Sequence, residues 1–336
     1  MLDSNRDVWV LPRVMSILNR LASPPTSTPK RLSTVEQFGY FAAVEKIRLE
    51  CLLGDYGSAL ETCSLIKLGD RSEPYFELPS CHVNLYYHVG VCQMMLRKYD
   101  EAIDTFVEIS LHVSRVIRLG NSATLKNGLE VLMKKMLDKM LALTAVCVTL
   151  SPGVRLDDQV RELMESKYMD RIRRMQMGNI AIFGDLFECS CPKFISSAIP
   201  DYKVQSNLCT EVFQNQVANF SREVQQRVGA LKLRSYLRLY ASIDLEKLAR
   251  FSEMSSESLT SQVLSYKLKV LQEQGPDGVA KNAGVHYYVK DGSLVIDSTP
   301  GHVDRSNAAE RFLFTGMRKN AEILRDVEKS YQNILM

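Results

Sequence analysis

No glycine-rich run in these 336 residues has the spacing of a phosphate-binding loop, and no dinucleotide fingerprint follows a candidate strand. His-Glu-x-x-His and serine-elbow patterns are missing as well. Catalysis has no address in the sequence, and no cofactor is implied. A charge excess is also missing: Lys and Arg total 42 against 39 acidic residues, a formal net charge of +3. A protein whose main task is neutralising phosphates carries a much larger basic excess, so any nucleic-acid contact has to be local. The strongest apolar run, Met140 to Leu150, is far shorter than the roughly 20 residues that span a bilayer. It reads as a buried helix, and no membrane association is expected. At the N-terminus, Asp3, Arg6 and Asp7 precede a short Val8 to Leu11 run that Pro12 ends, which is not the apolar core of a signal peptide.

Cysteine is present eight times, at 51, 63, 81, 92, 147, 189, 191 and 209, mostly inside apolar stretches. Reduced thiols filling small core volumes have that distribution, and a cytoplasmic location is the expectation. The best metal bait is Cys81, His82, His88 and Cys92, of which 81, 88 and 92 share a helix face. Structural zinc is usually held by paired knuckles, so core packing is the better reading. Cys189 and Cys191 stand just before Pro192. A nucleophilic or redox role there would need a depressed thiol pKa, and no sequence-adjacent base supports one.

What is there is mainly α-helical text. From Thr34, Phe38, Phe41, Val44 and Ile47 hold helical spacing as far as a turn at Gly54-Asp55, and a second helix is expected from Tyr56 to Leu68. Gly54-Asp-Tyr56-Gly-Ser-Ala59-Leu60 is then echoed by Arg97-Lys-Tyr99-Asp-Glu-Ala102-Ile103, an offset of 43 residues. A tyrosine followed three residues later by alanine suits stacked helical hairpins, because the ring wedges between two helices and the alanine admits close approach. The excess over the tetratricopeptide period of 34 fits a loop from Gly69 to Pro79. A long helix is expected from Gly120 to Leu150, rich in methionine (Met133, Met136, Met140) that reads as gap-filling core. Another from Leu156 to Tyr168 leads into Arg171, Arg173 and Arg174, the sharpest basic patch in the chain. Those arginines read either as a contact to phosphate or an acidic partner, or as a solvated helix end. Gly184 to Tyr202 holds two prolines and mixed polarity, which predicts an extended crossing rather than a helix, and helix returns from Glu211 to Val228.

A three-helix block with a hairpin follows. Leu233, Tyr236, Leu237, Tyr240 and Ile243 share one helix face; Asp244 can cap a second helix with Leu245, Leu248 and Phe251; Ser255 or Ser256 can cap a third with Leu259, Val263, Tyr266 and Val270. Two β-prone runs, Val285 to Val289 and Ser293 to Ile296, are joined through Asp291-Gly292, a dipeptide suited to a tight hairpin. Helices followed by a hairpin in this order make a winged helix. Its third helix carries Gln262, Lys267, Lys269 and Gln272 but no arginine, which favours a protein-docking block over a base-reading one. The last segment steps by four and three through Leu313, Met317, Asn320, Leu324, Val327, Tyr331 and Ile334. That is a heptad seam, with one polar residue of the type that fixes register.

These residues carry a resemblance. Asp185-Leu-Phe-Glu-Cys-Ser-Cys-Pro-Lys-Phe-Ile-Ser-Ser-Ala-Ile-Pro-Asp-Tyr202, preceded by Arg174 to Gly178 and followed by Ser221 to Gln226, closely resembles the L-subunit family of eukaryotic translation initiation factor three. Arg234 to Phe251 resembles the wider PCI module shared by the proteasome lid, the signalosome and that initiation factor. The resemblance implies a mainly α scaffold of tetratricopeptide-like helical repeats, then a winged-helix PCI domain and a C-terminal bundle helix. Its segments would be a flexible lead 1–33, the array 34–183, a crossing and last array helix 184–230, the winged helix 231–304 and the bundle helix 305–336. It further implies a non-catalytic subunit. Its partners would be sister subunits, PCI-type neighbours such as the K and E subunits among them, and the small ribosomal subunit through the complex. A scaffold of the proteasome-lid or signalosome type, or a nucleic-acid binder using Arg171, Arg173, Arg174, Lys267 and Lys269, are the alternatives. The chain starts well inside the family's usual length, and Ser258 stands where a reciprocal capping Glu is common, so a weaker cap is expected on the third helix.

Overall fold

A computed structural model describes residues 10–22, 34–119, 127–152, 154, 156–198, 208–273, 286–290, 292–297 and 324. They are mainly helical and divide into two units, residues 1–227 and 228–336.

In the first unit, α1 (Leu11–Leu21) begins with Pro12 near its N-terminus, where the absent N–H is no loss. It packs on α2 (Thr34–Leu53), which also packs on α3 (Tyr56–Cys63) and α4 (Pro79–Met95). Then α4 packs on α5 (Tyr99–Leu119), α5 on α6 (Asn127–Leu150), and α6 on α7 (Asp158–Gln176) and α8 (Ile180–Ser190). Successive helices are thus neighbours, as short connections dictate. The buried set includes Tyr40, Ile47, Tyr86, Phe106, Ile109, Met140 and Phe183. Gly90 is what admits Phe106, since a Cβ there would stand 2.4 Å from its ring. The buried carboxylate of Glu50 ties α2 to α3 by accepting from the Thr62 hydroxyl at 3.1 Å.

The two tyrosine turns are built alike. Gly54 and Arg97 both take a left-handed backbone, φ +85° and +66°. After each, the next amide reaches back five residues, Asp55 N–H to the Glu50 carbonyl at 3.0 Å and Lys98 N–H to the Gln93 carbonyl at 2.9 Å. This left-handed stop satisfies carbonyls that a helix end leaves open. Gly178 and Glu253 end α7 and the later helix α10 (Leu245–Phe251) the same way. Ala59 and Ala102 are fully buried, and Tyr99 is buried with them.

Several elements differ from the sequence reading. α3 stops at Cys63 rather than Leu68, and the loop after it contains a single 3-10 turn, Pro74–Glu77. α7 continues past Tyr168 to Gln176, so the three arginines lie on the helix. The stretch from Gly184 to Ser190 is helical, not extended: Asn179 caps α8 through the Ala181 amide, and Phe183, Leu186, Phe187 and Ser190 form its buried stripe. Both prolines that argued against helix lie beyond its end. No break separates Val228 from Leu231; α9 (Leu208–Leu239) is one helix through Gly229.

In the second unit, α9 ends at Leu239, and Ile243 belongs to β1 (Ser242–Asp244) instead of the helix face. α10 (Leu245–Phe251) is capped by Asp244, which accepts from the Glu246 amide. α11 (Ser256–Glu273) is capped by Ser255, which accepts from the Ser258 amide at 3.3 Å. β2 (His286–Lys290) and β3 (Ser293–Asp297) form the expected hairpin, with Gly292 at φ +75°. β3 is central in an antiparallel sheet of order β1-β3-β2, with Ile243 opposite Leu294 and Tyr287 opposite Ile296. Leu233, Leu237, Ile243, Leu248, Leu259, Val263, Tyr287 and Leu294 close one core.

Candidate interaction surfaces

Alternation along β2 turns Tyr287 inward, where its hydroxyl donates to the Val263 carbonyl at 2.6 Å and its ring stacks on Tyr266 with centroids 6.3 Å apart. Burial, with Tyr266 beside it, raises the Tyr287 pKa, so the phenol stays a donor. Lys267 folds back on the same residue: its ammonium donates to the Tyr287 carbonyl at 3.1 Å and lies 5.8 Å from the ring centroid. Gln262 is turned against α9, its amide within 2.0 Å of where a Gly229 Cβ would stand. Of the side chains that could have read bases, Lys267 is therefore bonded within the block and Gln262 lies against α9. The outward stripe of α11 carries Leu264 and Leu268 instead, 55% and 62% exposed.

On α7 the buried residues Ile172 and Met175 alternate with Arg171, Arg173 and Arg174, all three exposed. Arg171 lies 6.0 Å from the centroid of Tyr168, whose hydroxyl donates to the Asp138 carbonyl at 3.2 Å. Earlier cations of this helix are neutralised, Arg161 by Asp158 and Lys167 by Asp138.

The seam residues Leu313, Met317, Asn320, Val327, Tyr331 and Ile334 lie outside the described residues. Leu324 is described: it is helical and 63% exposed.

The metal bait is packed as core. His82 sits among Tyr75, Phe76, Tyr86 and His112, and burial, with His112 beside it, lowers its pKa to about 4. His88 shares its Nδ1 with the Asn84 carbonyl at 2.7 Å, and burial lowers it to about 4 as well. Among the described residues no three His, Cys, Asp or Glu side chains come together as a metal would need. His88 and Cys81 line a cavity of about 220 Å³ between α2 and α4, with the Glu45–Arg48 ion pair also on its wall. Burial pushes the Cys191 thiol up to about 12, the opposite of an activated nucleophile, while Cys189 is exposed.

The sequence reading missed the role of α9. Its Gln216 accepts from the Tyr56 hydroxyl at 3.1 Å, its Glu223 pairs with Arg97 at 3.6 Å, and its Arg227 lies 5.5 Å from the Tyr99 centroid while donating to the Leu150 carbonyl at 3.3 Å. Phe220 stacks on Phe187 between them, centroids 4.0 Å apart. One helix thus grips both tyrosine turns. The signal was available as Gln216, Phe220, Glu223 and Arg227, which step by four, three and four along one face.

Residues 3–321 match the family described as RNA polymerase I-associated factor PAF67. The chain is 32% identical over 303 residues to eukaryotic translation initiation factor 3 subunit L of Danio rerio, which covers 89% of this chain and 52% of the relative. It is 31% identical over 353 aligned positions to the proteins of the same name from Bos taurus and Homo sapiens, covering 98% of this chain and 62% of each. The chain thus spans between about half and three fifths of the length of these curated relatives. Among the described residues no helix is long and apolar enough to cross a membrane.

Proposed function

The chain belongs to the family described as RNA polymerase I-associated factor PAF67, with translation initiation factor 3 L subunits among its relatives, and on that premise we propose that it is a non-catalytic assembly subunit of that initiation factor. The observation that carries the reading is the match along 98% of the chain to relatives of one name. In this reading the first unit is a tetratricopeptide-like array and the second a winged helix of the PCI type. The order α9, β1, α10, α11, β2, β3, with the three strands joined in a β1-β3-β2 sheet, supports the latter. Sister subunits, PCI-type neighbours such as the K and E subunits among them, dock on the winged helix and on the seam from Leu313 to Ile334. Through the complex the chain supports small-ribosomal-subunit binding in the cytoplasm.

The Lys267 ammonium bonded to the Tyr287 carbonyl, Gln262 lying against α9 and the outward Leu264 and Leu268 support docking of protein rather than base reading. The exposure of Leu324 supports a seam available to partners. Replacing Leu324 with Asp tests this: a carboxylate forced into an apolar seam without a partner costs about 3 kcal/mol. Co-purification of sister subunits from cells is expected to fall sharply while circular dichroism stays unchanged. Undiminished co-purification of this variant, and of one lacking residues 305–336, would remove the seam from the account.

A further inference from the structure

We propose that Arg171, Arg173 and Arg174 form a contact surface for the phosphodiester backbone of RNA, read without base selection. Three features of α7 lead there. Its cations up to Lys167 are matched to carboxylates, and among the described residues the pairing stops at that point: none of the three arginines has a carboxylate within ion-pair distance. All three are exposed, with Arg171 and Arg174 three residues apart on one face and Arg173 set to the side. Arg171 is also pre-oriented, because it lies over a tyrosine that is itself pinned by the Asp138 carbonyl. A guanidinium held in place loses less freedom on binding and presents a planar fork that matches phosphate oxygens.

An acidic protein segment is the competing partner. Carboxylates are already close in sequence, at Glu165 and Asp170, yet the arginines leave them unused. Phosphodiesters offer a continuous row of anions at spacings a cluster on one helix turn can straddle. The surface holds no aromatic face directed at bases, since the hydroxyl of Tyr168 is engaged and its ring faces Arg171. That makes the contact a positioning one, blind to sequence. That the polyanion is RNA rather than DNA rests on the proposed role in translation; the assignment of phosphate rests on the arginines alone.

The test uses the full chain and a fluorescent uridine oligomer of about 20 nucleotides, titrated at several salt concentrations. Three single-strand phosphate contacts predict a slope of log affinity on log salt of about −2, roughly a 15-fold loss between about 50 and 200 mM KCl. The Arg171→Gln, Arg173→Gln, Arg174→Gln variant is expected to bind at least about 10-fold more weakly at low salt and to lose most of that slope, with unchanged helix content. A uridine and a cytidine oligomer are expected to bind equally. If the wild-type chain fails to bind at low salt, if the triple variant binds equally, or if polyglutamate competes as well as RNA, the proposal is overturned. None of these results depends on sister subunits, so failure here leaves the assembly reading intact, and loss of co-purification leaves this surface intact.

Discussion

The two units solve the problem of burial in opposite ways. The first unit buries polar residues and pairs several of them internally: Glu50 meets Thr62, Tyr87 donates to the Ser190 carbonyl, Thr105 meets Gln93, and two histidines are kept neutral inside. The second unit closes one small apolar core and leaves Leu239, Leu264, Leu268 and Val289 substantially exposed. Both units leave large apolar side chains in water, Val35, Phe38, Leu132 and Met177 in the first as well as the leucines of the second, so exposure does not set one apart from the other. The difference lies in core chemistry: the first unit holds titratable groups in its interior, whereas the second closes an apolar core.

The sharpest way to break this comparison is to hollow each core. Phe106→Ala in the first unit is expected to cost about 3–5 kcal/mol, because the fully buried ring fills the space Gly90 leaves and the site cannot collapse. Leu248→Ala is expected to cost about 2–4 kcal/mol in the second unit. Denaturant titrations followed by a fluorophore in each unit check whether each change is felt where it was made.

Acid separates the units next. His82 has a folded pKa of about 4 against about 6.5 unfolded, so its contribution is complete above pH 6.5 and is lost as pH falls toward 4. The loss is on the order of 3 kcal/mol, and His88 acts in the same direction. A His82→Phe variant is expected to flatten stability against pH in that window, as measured by urea midpoints. An unchanged slope would show the imidazole to be solvated.

Tyr287→Phe removes the donor that ties the hairpin to α11 and is expected to cost about 1 kcal/mol. Smallest of all, Glu253→Gly replaces an exposed side chain held at φ +54° and is expected to stabilise by up to about 1 kcal/mol. Thermal melts resolve both signs.

Local chemistry was legible wherever it was self-sufficient. Gly54-Asp-Tyr56 and Arg97-Lys-Tyr99 announced two like turns because the tyrosine and the alanine are both needed at the same helix crossing. Asp291-Gly292 placed the hairpin within one residue at each strand. What the text hid is what a distant partner decides. β1 is three residues long and exists because β3 pairs with it. The helix expected to end at Val228 runs on through Gly229, where the close approach of Gln262 makes a glycine useful inside a continuous helix. In α8 the stripe Phe183, Leu186, Phe187 was outvoted by prolines that turn out to lie past its end. Of the candidate surfaces, Lys267 looked available from sequence alone, and its bond to the Tyr287 carbonyl is a tertiary fact no spacing could disclose.

The central claim, that this chain serves as one piece of a translation assembly, is tested most directly by native mass spectrometry of the tagged full chain isolated from cells. The account predicts particles containing other subunits of the initiation factor together with this chain. A single species at the mass of one chain, from cells in which those subunits are present, would contradict it.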